Sequence, residues 1–169
     1  MKRALGLPLS VLLVLLALAT FGREGHSRPR QELSRTSPPV NLTHVFEGEI
    51  NRRGKPVGFH SRPGGKNPPG ARVTRVVDGP NRLGVYVAEV EIRSGSRWHS
   101  KRSTFYPDRM DRDAVVQAIL QAYKSRTTGN SEKFRGPSGR GFTIEGWHQN
   151  GRINTAYPIY TGGQGRGGR

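Results

Sequence analysis

The sequence contains no cysteine, which excludes thiol catalysis, cysteine-bound zinc and disulfide staples. Acidic residues are scarce: 12 Asp and Glu stand against 28 Lys and Arg, too few to suggest a dedicated two-metal site. No GxxxxGK[ST] is present and no GxGxxG follows an expected strand, so nothing supports a phosphate-cradling nucleotide loop. There is no HExxH, no pair of histidines at helical ligand spacing and no GxSxG elbow. Beyond residue 22 no apolar run approaches the ~20 residues that span a bilayer.

What the chain does have is positive charge. Its formal net charge is +16 over 169 residues. A field of that sign attracts polyanions, with nucleic acid as the first candidate and an anionic membrane surface or an acidic protein as rivals. The length leaves room for one compact domain. The 23 glycines and 12 prolines point to long loops and more sheet than helix.

Residues 1–22 read as a secretory signal, with Lys2-Arg3 as the positive start, the apolar run Val11–Leu16, and Ala17-Leu18-Ala19 as a small-x-small cleavage site. Pro8 and the small residues at the end favour cleavage over a retained anchor, so the expected location is secreted or periplasmic, with no stable membrane insertion. Residues 23–40 are polar, contain prolines and lack periodicity; they read as a disordered linker. The Gly/Arg-rich tail, residues 161–169, is either an RGG-like RNA-binding segment or plain solvated chain.

Residues 41–160 carry the pattern of a folded domain. Arg72–Asp78 and Leu83–Ile92 are rich in β-branched residues and flank the turn cluster Asp78-Gly79-Pro80-Asn81, which predicts a hairpin. In the second run Tyr86, Ala88, Val90 and Ile92 share one face. Asp111–Lys124 predicts a helix, with Val115, Val116, Ile119, Leu120 and Tyr123 on one side, Asp108 or Asp111 as the cap and Gly129 as the stop. Residues 125–140 read as a polar loop. Asn150-Gly151 predicts a second hairpin, between strands near Phe142–His148 and Arg152–Tyr157. The expected class is α+β: an antiparallel sheet with one or two packed helices, the second near the N-terminal end.

The chemistry left open rests on isolated histidines at 44, 60, 99 and 148. RNA can be cut without a metal when a neutral imidazole takes the 2′-OH proton and a protonated one gives its proton to the leaving 5′-oxygen. Nearby fixed positive charge favours the transition state. A lone histidine is more often structural than catalytic, so composition alone does not choose among the four. Trp98 and Trp147 offer stacking surfaces for bases; Trp147, in an expected strand, reads as core.

Four segments in order give the sequence a resemblance to the bacterial EndoU nuclease domain. They are His44-Val-Phe-Glu-Gly-Glu-Ile50, Gly54-Lys-Pro-Val-Gly-Phe-His60-Ser61, Lys101-Arg-Ser-Thr-Phe-Tyr-Pro107 ahead of the helix, and Gly151-Arg-Ile-Asn-Thr-Ala-Tyr-Pro158. The resemblance implies the EndoU/barnase-like toxin nuclease fold. It implies His44 as acid and His60 as base, Lys101 as third catalytic group with Ser103 or Thr104 as alternatives, and Thr155 and Tyr157 lining the pocket; on chemistry alone Lys101 and Arg102 read equally as phosphate-positioning residues or solvated charge. Arg102, Ser103, Thr104 and Trp98 are the expected substrate contacts. His99, in a Ser/Gly/Arg-rich loop, and His148, beside the turn, are expected to be solvated. The implied activity is a secreted, metal-independent endoribonuclease, either a toxin effector or a scavenger of RNA, giving 2′,3′-cyclic phosphate and 5′-OH ends without a cofactor. Its partners would be RNA (uridine-containing RNA or tRNA) and an acidic immunity protein. The alternative is a non-catalytic secreted RNA- or polyanion-binding protein.

Overall fold

The computed structural model describes residues 31–127 and 132–162; the expected signal, residues 23–30 of the expected linker, the Gly129 stop and all but the first two residues of the tail lie outside them. A π-helical turn, Thr43–Glu47, opens the domain. It is followed by β1 (Glu49–Ile50), β2 (Pro56–Val57), a short 3-10 turn at Pro63–Gly65, β3 (Ala71–Asp78), β4 (Tyr86–Ser94) and β5 (Arg97–Phe105). Helix α1 (Arg112–Lys124) then leads to β6 (Lys133–Pro137), β7 (Thr143–Gln149) and β8 (Arg152–Pro158). The strands form a two-stranded ladder β1-β2 and two three-stranded antiparallel sheets, β3-β4-β5 and β6-β7-β8. The class is α+β, as the patterning predicts, with one α-helix among the described residues. Near the N-terminal end the chain makes the π-helical turn where a second helix was expected.

Helix α1 is capped by Asp111, whose side chain accepts from the Ala114 N–H at 2.7 Å. Asp108 is committed elsewhere: it binds Arg62 at 2.9 Å and accepts from the Tyr86 hydroxyl at 2.7 Å. The helix buries Val115, Val116, Ala118, Ile119 and Ala122 against the β6-β7-β8 sheet, in a core with Val40, Phe134, Ile144 and Ile153. A second core lies under β3-β4-β5, where Tyr86, Ala88, Val90 and Ile92 alternate inward as expected and meet Phe59 and Phe105. The Asn150-Gly151 turn has both residues at positive φ, 53° and 73°, which matches the twist of the β7-β8 hairpin it closes.

Three stretches differ from the sequence expectation. Residues 31–40 are not a free linker: Val40 is fully buried, bridges to Ile153 in parallel, and Leu33 pairs with Asn41. A single apolar anchor in a polar, Pro-rich stretch leaves no periodicity to read. Strand β6 lies within the stretch read as a loop, because only Phe134 and Gly136 face inward and their neighbours Lys133 and Arg135 face solvent. Strand β5 also escapes the pattern: its inward positions include His99, Lys101 and Ser103, so hydrophobic alternation is missing. His99 therefore stands in a strand opposite Ile92, not in a loop.

Candidate active site

The two histidines singled out by the sequence are brought together by backbone hydrogen bonds. The segment after β2 runs against the π-helical turn: Phe59 N–H donates to the His44 carbonyl at 2.7 Å, and His60 N–H to the Val45 carbonyl at 2.7 Å. Gly58 makes this approach feasible. Its φ is +76°, and a Cβ there would overlap the His44 carbonyl oxygen. Phe59, at φ 59°, is a non-glycine residue in the left-handed region. Its ring is fully buried and packs edge-on against Phe105 at 5.0 Å, which offsets a backbone cost of ~1–3 kcal/mol. Beyond His60 the chain is clamped by Arg62, which donates to the Tyr86 hydroxyl at 3.0 Å and to Asp108.

The result is a pair of imidazoles with ring centroids 5.9 Å apart and different partners. His60 is 7 % exposed. Its Nδ1 lies 3.0 Å from the Thr104 carbonyl oxygen. A carbonyl only accepts, so Nδ1 carries the proton and Nε2 the lone pair. Burial pushes the His60 pKa well below the usual histidine value, and the charges of Lys101 and His44 push it the same way. His44 is anchored through its N–H to the Asn41 side chain at 3.1 Å, and its Nδ1 donates to Glu49 Oε1 at 3.0 Å. The hydrogen bond from His44 holds the Glu49 carboxyl below the usual range despite burial. Glu49 was not singled out in the sequence; its only signal is an acidic residue five positions after His44 in an acid-poor chain.

Lys101 and Ser103, on the inward face of β5, meet this pair. Lys101 Nζ donates to the Gly58 carbonyl at 2.7 Å and to Ser103 Oγ at 3.0 Å. Burial brings the lysine pKa down to about 8. Ser103 was an expected substrate contact, but it is 4 % exposed. Its hydroxyl donates to the Phe59 carbonyl at 2.7 Å and stands 3.1 Å from His60 Nδ1, so it holds the ring from behind. Thr104 serves through its carbonyl, not its hydroxyl. Strand alternation places the Thr104, Arg102 and Trp98 side chains on the other face of β5, away from Lys101 and Ser103. The structure does not bring these three side chains to the histidines.

The second wall comes from β7 and β8. The Tyr157 ring lies 5.2 Å from that of His60. Its hydroxyl donates to Glu145 at 2.7 Å, and burial and this carboxylate raise its pKa. Thr155 sits two residues earlier on the same strand face, opposite Trp147. Trp147 is not core: it is half-buried on this face, 6.1 Å from Tyr157, with Lys133 Nζ 4.9 Å from its ring centre. The sequence misread it because both faces of β7 carry large residues. His148 is not solvated either; it is half-buried with its ring 4.8 Å from Tyr123 of α1, on the side away from Tyr157. Among the described residues no three His, Cys, Asp or Glu side chains converge as a metal-ligand set.

One imidazole is thus held neutral with a free lone pair, and the other carries a carboxylate partner suited to an imidazolium. Such a pair can accept a proton at one point and deliver one about a phosphate's width away. Residues 40–160 match the family described as bacterial EndoU nuclease. A Bacillus cereus protein named Toxin is 32 % identical over 122 residues, which is 71 % of this chain and 22 % of that protein. The chain therefore spans about a fifth of that relative's length. No solved structure matches.

Proposed function

Because the chain belongs to the bacterial EndoU nuclease family, we propose that it is an endoribonuclease that works without a metal, by attack of the ribose 2′-OH on the adjacent phosphorus. The observation that carries this reading is the facing pair of histidines with unlike partners. His60 Nε2 takes the 2′-OH proton; the O2′–P bond forms and the P–O5′ bond breaks. His44 passes its Nε2 proton to the departing 5′-oxygen. The products are a 2′,3′-cyclic phosphate and a 5′-OH. Lys101 adds positive charge beside His60, which favours the neutral base and the negative charge building on the phosphoryl oxygens. Tyr157 and Thr155 form the wall for sugar and base, and Trp147 extends it as a stacking surface.

The reading extends to biology. The signal-like residues 1–22 and the similarity to a relative named Toxin support an exported toxin that acts on RNA outside its producer. A net charge of +16 suits an acidic inhibitor as the producer's protection. The direct test is an oligonucleotide of deoxynucleotides with one ribouridine. Cleavage is expected 3′ of that uridine and nowhere else; equal cleavage of the all-deoxy strand would refute attack by the 2′-OH.

Two residues give graded predictions. Glu49→Gln keeps an acceptor for His44 but removes the charge. It is expected to lower kcat by roughly 10- to 150-fold with little change in KM, the ~1.5–3 kcal/mol of a hydrogen bond to a charged group. An unchanged kcat would assign Glu49 to folding alone. Lys101→Met removes a positive charge that lowers the His60 pKa. The base must be deprotonated to act, so raising its pKa moves the acid limb of the kcat/KM profile to higher pH, toward 6.5. A limb that stays put or moves down contradicts the assignment of His60 as base.

A further inference from the structure

The face of β3-β4-β5 turned away from the histidines carries a feature that neither the core nor the proposed chemistry uses. Trp98, at the tip of the β4-β5 hairpin, is 36 % exposed and is one of three large hydrophobic side chains that are exposed among the described residues. The Arg72 guanidinium lies 4.2 Å from its ring centre and that of Arg93 at 5.9 Å. Arg72 is held on its other side by Glu91 at 2.6 Å, which fixes the guanidinium beside the indole. On this face the register sets Arg93 opposite Trp98 and Arg102 opposite Glu89. Of the three acidic residues that the register puts on this face, Glu91 is engaged with Arg72 and Glu89 with Arg75 at 2.7 Å, while Asp78 stands at the far end of β3, opposite Val87. The face therefore presents stacked planar groups and a surplus of guanidinium charge.

Those two properties together fit single-stranded nucleic acid. A base stacks on an indole or a guanidinium plane regardless of its identity, and free guanidiniums take the phosphates on either side. We infer that the outer face around Trp98, Arg72, Arg93 and Arg102 is a second RNA-binding surface that holds single-stranded RNA outside the catalytic cleft. The inference rests on the ribonuclease reading for the identity of the strand. Its consequence is a dependence on substrate length: a short RNA fills only the cleft, and a long one gains affinity from this face. Contacts to phosphate make that gain salt-sensitive.

The test compares full-length protein with Trp98→Ala and with Arg93→Ser/Arg102→Ser on a uridine-containing tetranucleotide and on a 30-nucleotide single-stranded RNA. Each variant is expected to lower kcat/KM about tenfold on the 30-mer, as loss of one stacked base or two phosphate contacts would, and to leave the tetranucleotide unchanged. The double variant is expected to reduce the salt slope of log kcat/KM by about 1.4, since each neutralised phosphate of a single strand contributes about 0.7. In parallel, fluorescence anisotropy of the 30-mer is measured on His60→Ala protein with and without these substitutions, where the same tenfold loss is expected. Unchanged anisotropy overturns the surface, and so does an equal loss on both substrates. If the wild type cleaves neither RNA, the ribonuclease reading fails, and the anisotropy arm still decides whether this face binds RNA. Unaltered RNA binding alongside loss of an acidic protein ligand would also overturn the inference and assign the face to a protein.

Discussion

Replacing His60 with alanine is expected to lower kcat by roughly 10²- to 10⁴-fold, the range a positioned general base contributes. The expectation follows from how narrowly the ring is set. Its Nδ1 proton is committed to the Thr104 carbonyl at 3.0 Å, Ser103 stands behind it at 3.1 Å, and burial keeps it neutral. Water entering the space left by the ring has no comparable basicity or position, so the loss falls on kcat and KM changes little. Because the ring is buried, the alanine variant also loses stability, and a melting curve is needed beside the assay. His60→Gln separates the two effects: its amide can still donate to Thr104 but cannot take a proton. Both variants are expected to be inactive, with the glutamine variant closer to wild type in melting temperature. A glutamine variant retaining more than a tenth of wild-type kcat would remove His60 from the chemistry.

The second large effect is expected at a residue that does no chemistry. Gly58→Ala places a methyl group into the His44 carbonyl oxygen, at a φ of +76° that alanine adopts poorly. That carbonyl is held by Phe59 N–H at 2.7 Å, and His44 Cδ2 would lie 3.1 Å from the new atom, so the neighbours have nowhere easy to go. The backbone term is ~1–3 kcal/mol and the overlap adds to it. A loss of 3 kcal/mol or more is expected, lowering the melting temperature by on the order of 10 °C. Relief of the overlap separates the two histidine segments, so the protein that remains folded is also expected to lose most of its activity. Gly54→Ala is the control. Its φ is +73°, but no atom lies within 4 Å of the added Cβ, so it carries only the backbone cost. Equal losses at the two glycines would mean that close packing of His44 on the His60 segment is not what Gly58 secures.

The parts of this molecule that were legible in the sequence are those where one face is apolar and the other polar. Helix α1 and the two hairpins around Gly79 and Asn150-Gly151 stand where patterning and turn chemistry put them. The strand that carries Lys101 and Ser103 was hidden for the opposite reason: its inward face serves the histidines, so polar residues occupy positions that patterning reserves for hydrophobic ones. The same inversion concealed the buried state of Ser103. His44 and His60 were visible through their glycine-marked contexts. Glu49 was not, because a carboxylate pointing at a histidine and one pointing at water look alike in a sequence. Trp98 was placed with the substrate contacts as a stacking surface for bases, yet alternation along β5 turns it to the face opposite Lys101.

The central claim is that two histidines cut RNA through its own 2′-OH with no metal. It is tested most directly by incubating the protein with a uridine-containing RNA in excess EDTA and identifying the new ends. Cleavage in EDTA with 2′,3′-cyclic phosphate on one side and 5′-OH on the other is the result expected. Cleavage that appears only on adding a divalent cation, or that leaves 5′-phosphate ends, would contradict the account, as would tight salt-sensitive binding of an RNA that stays intact.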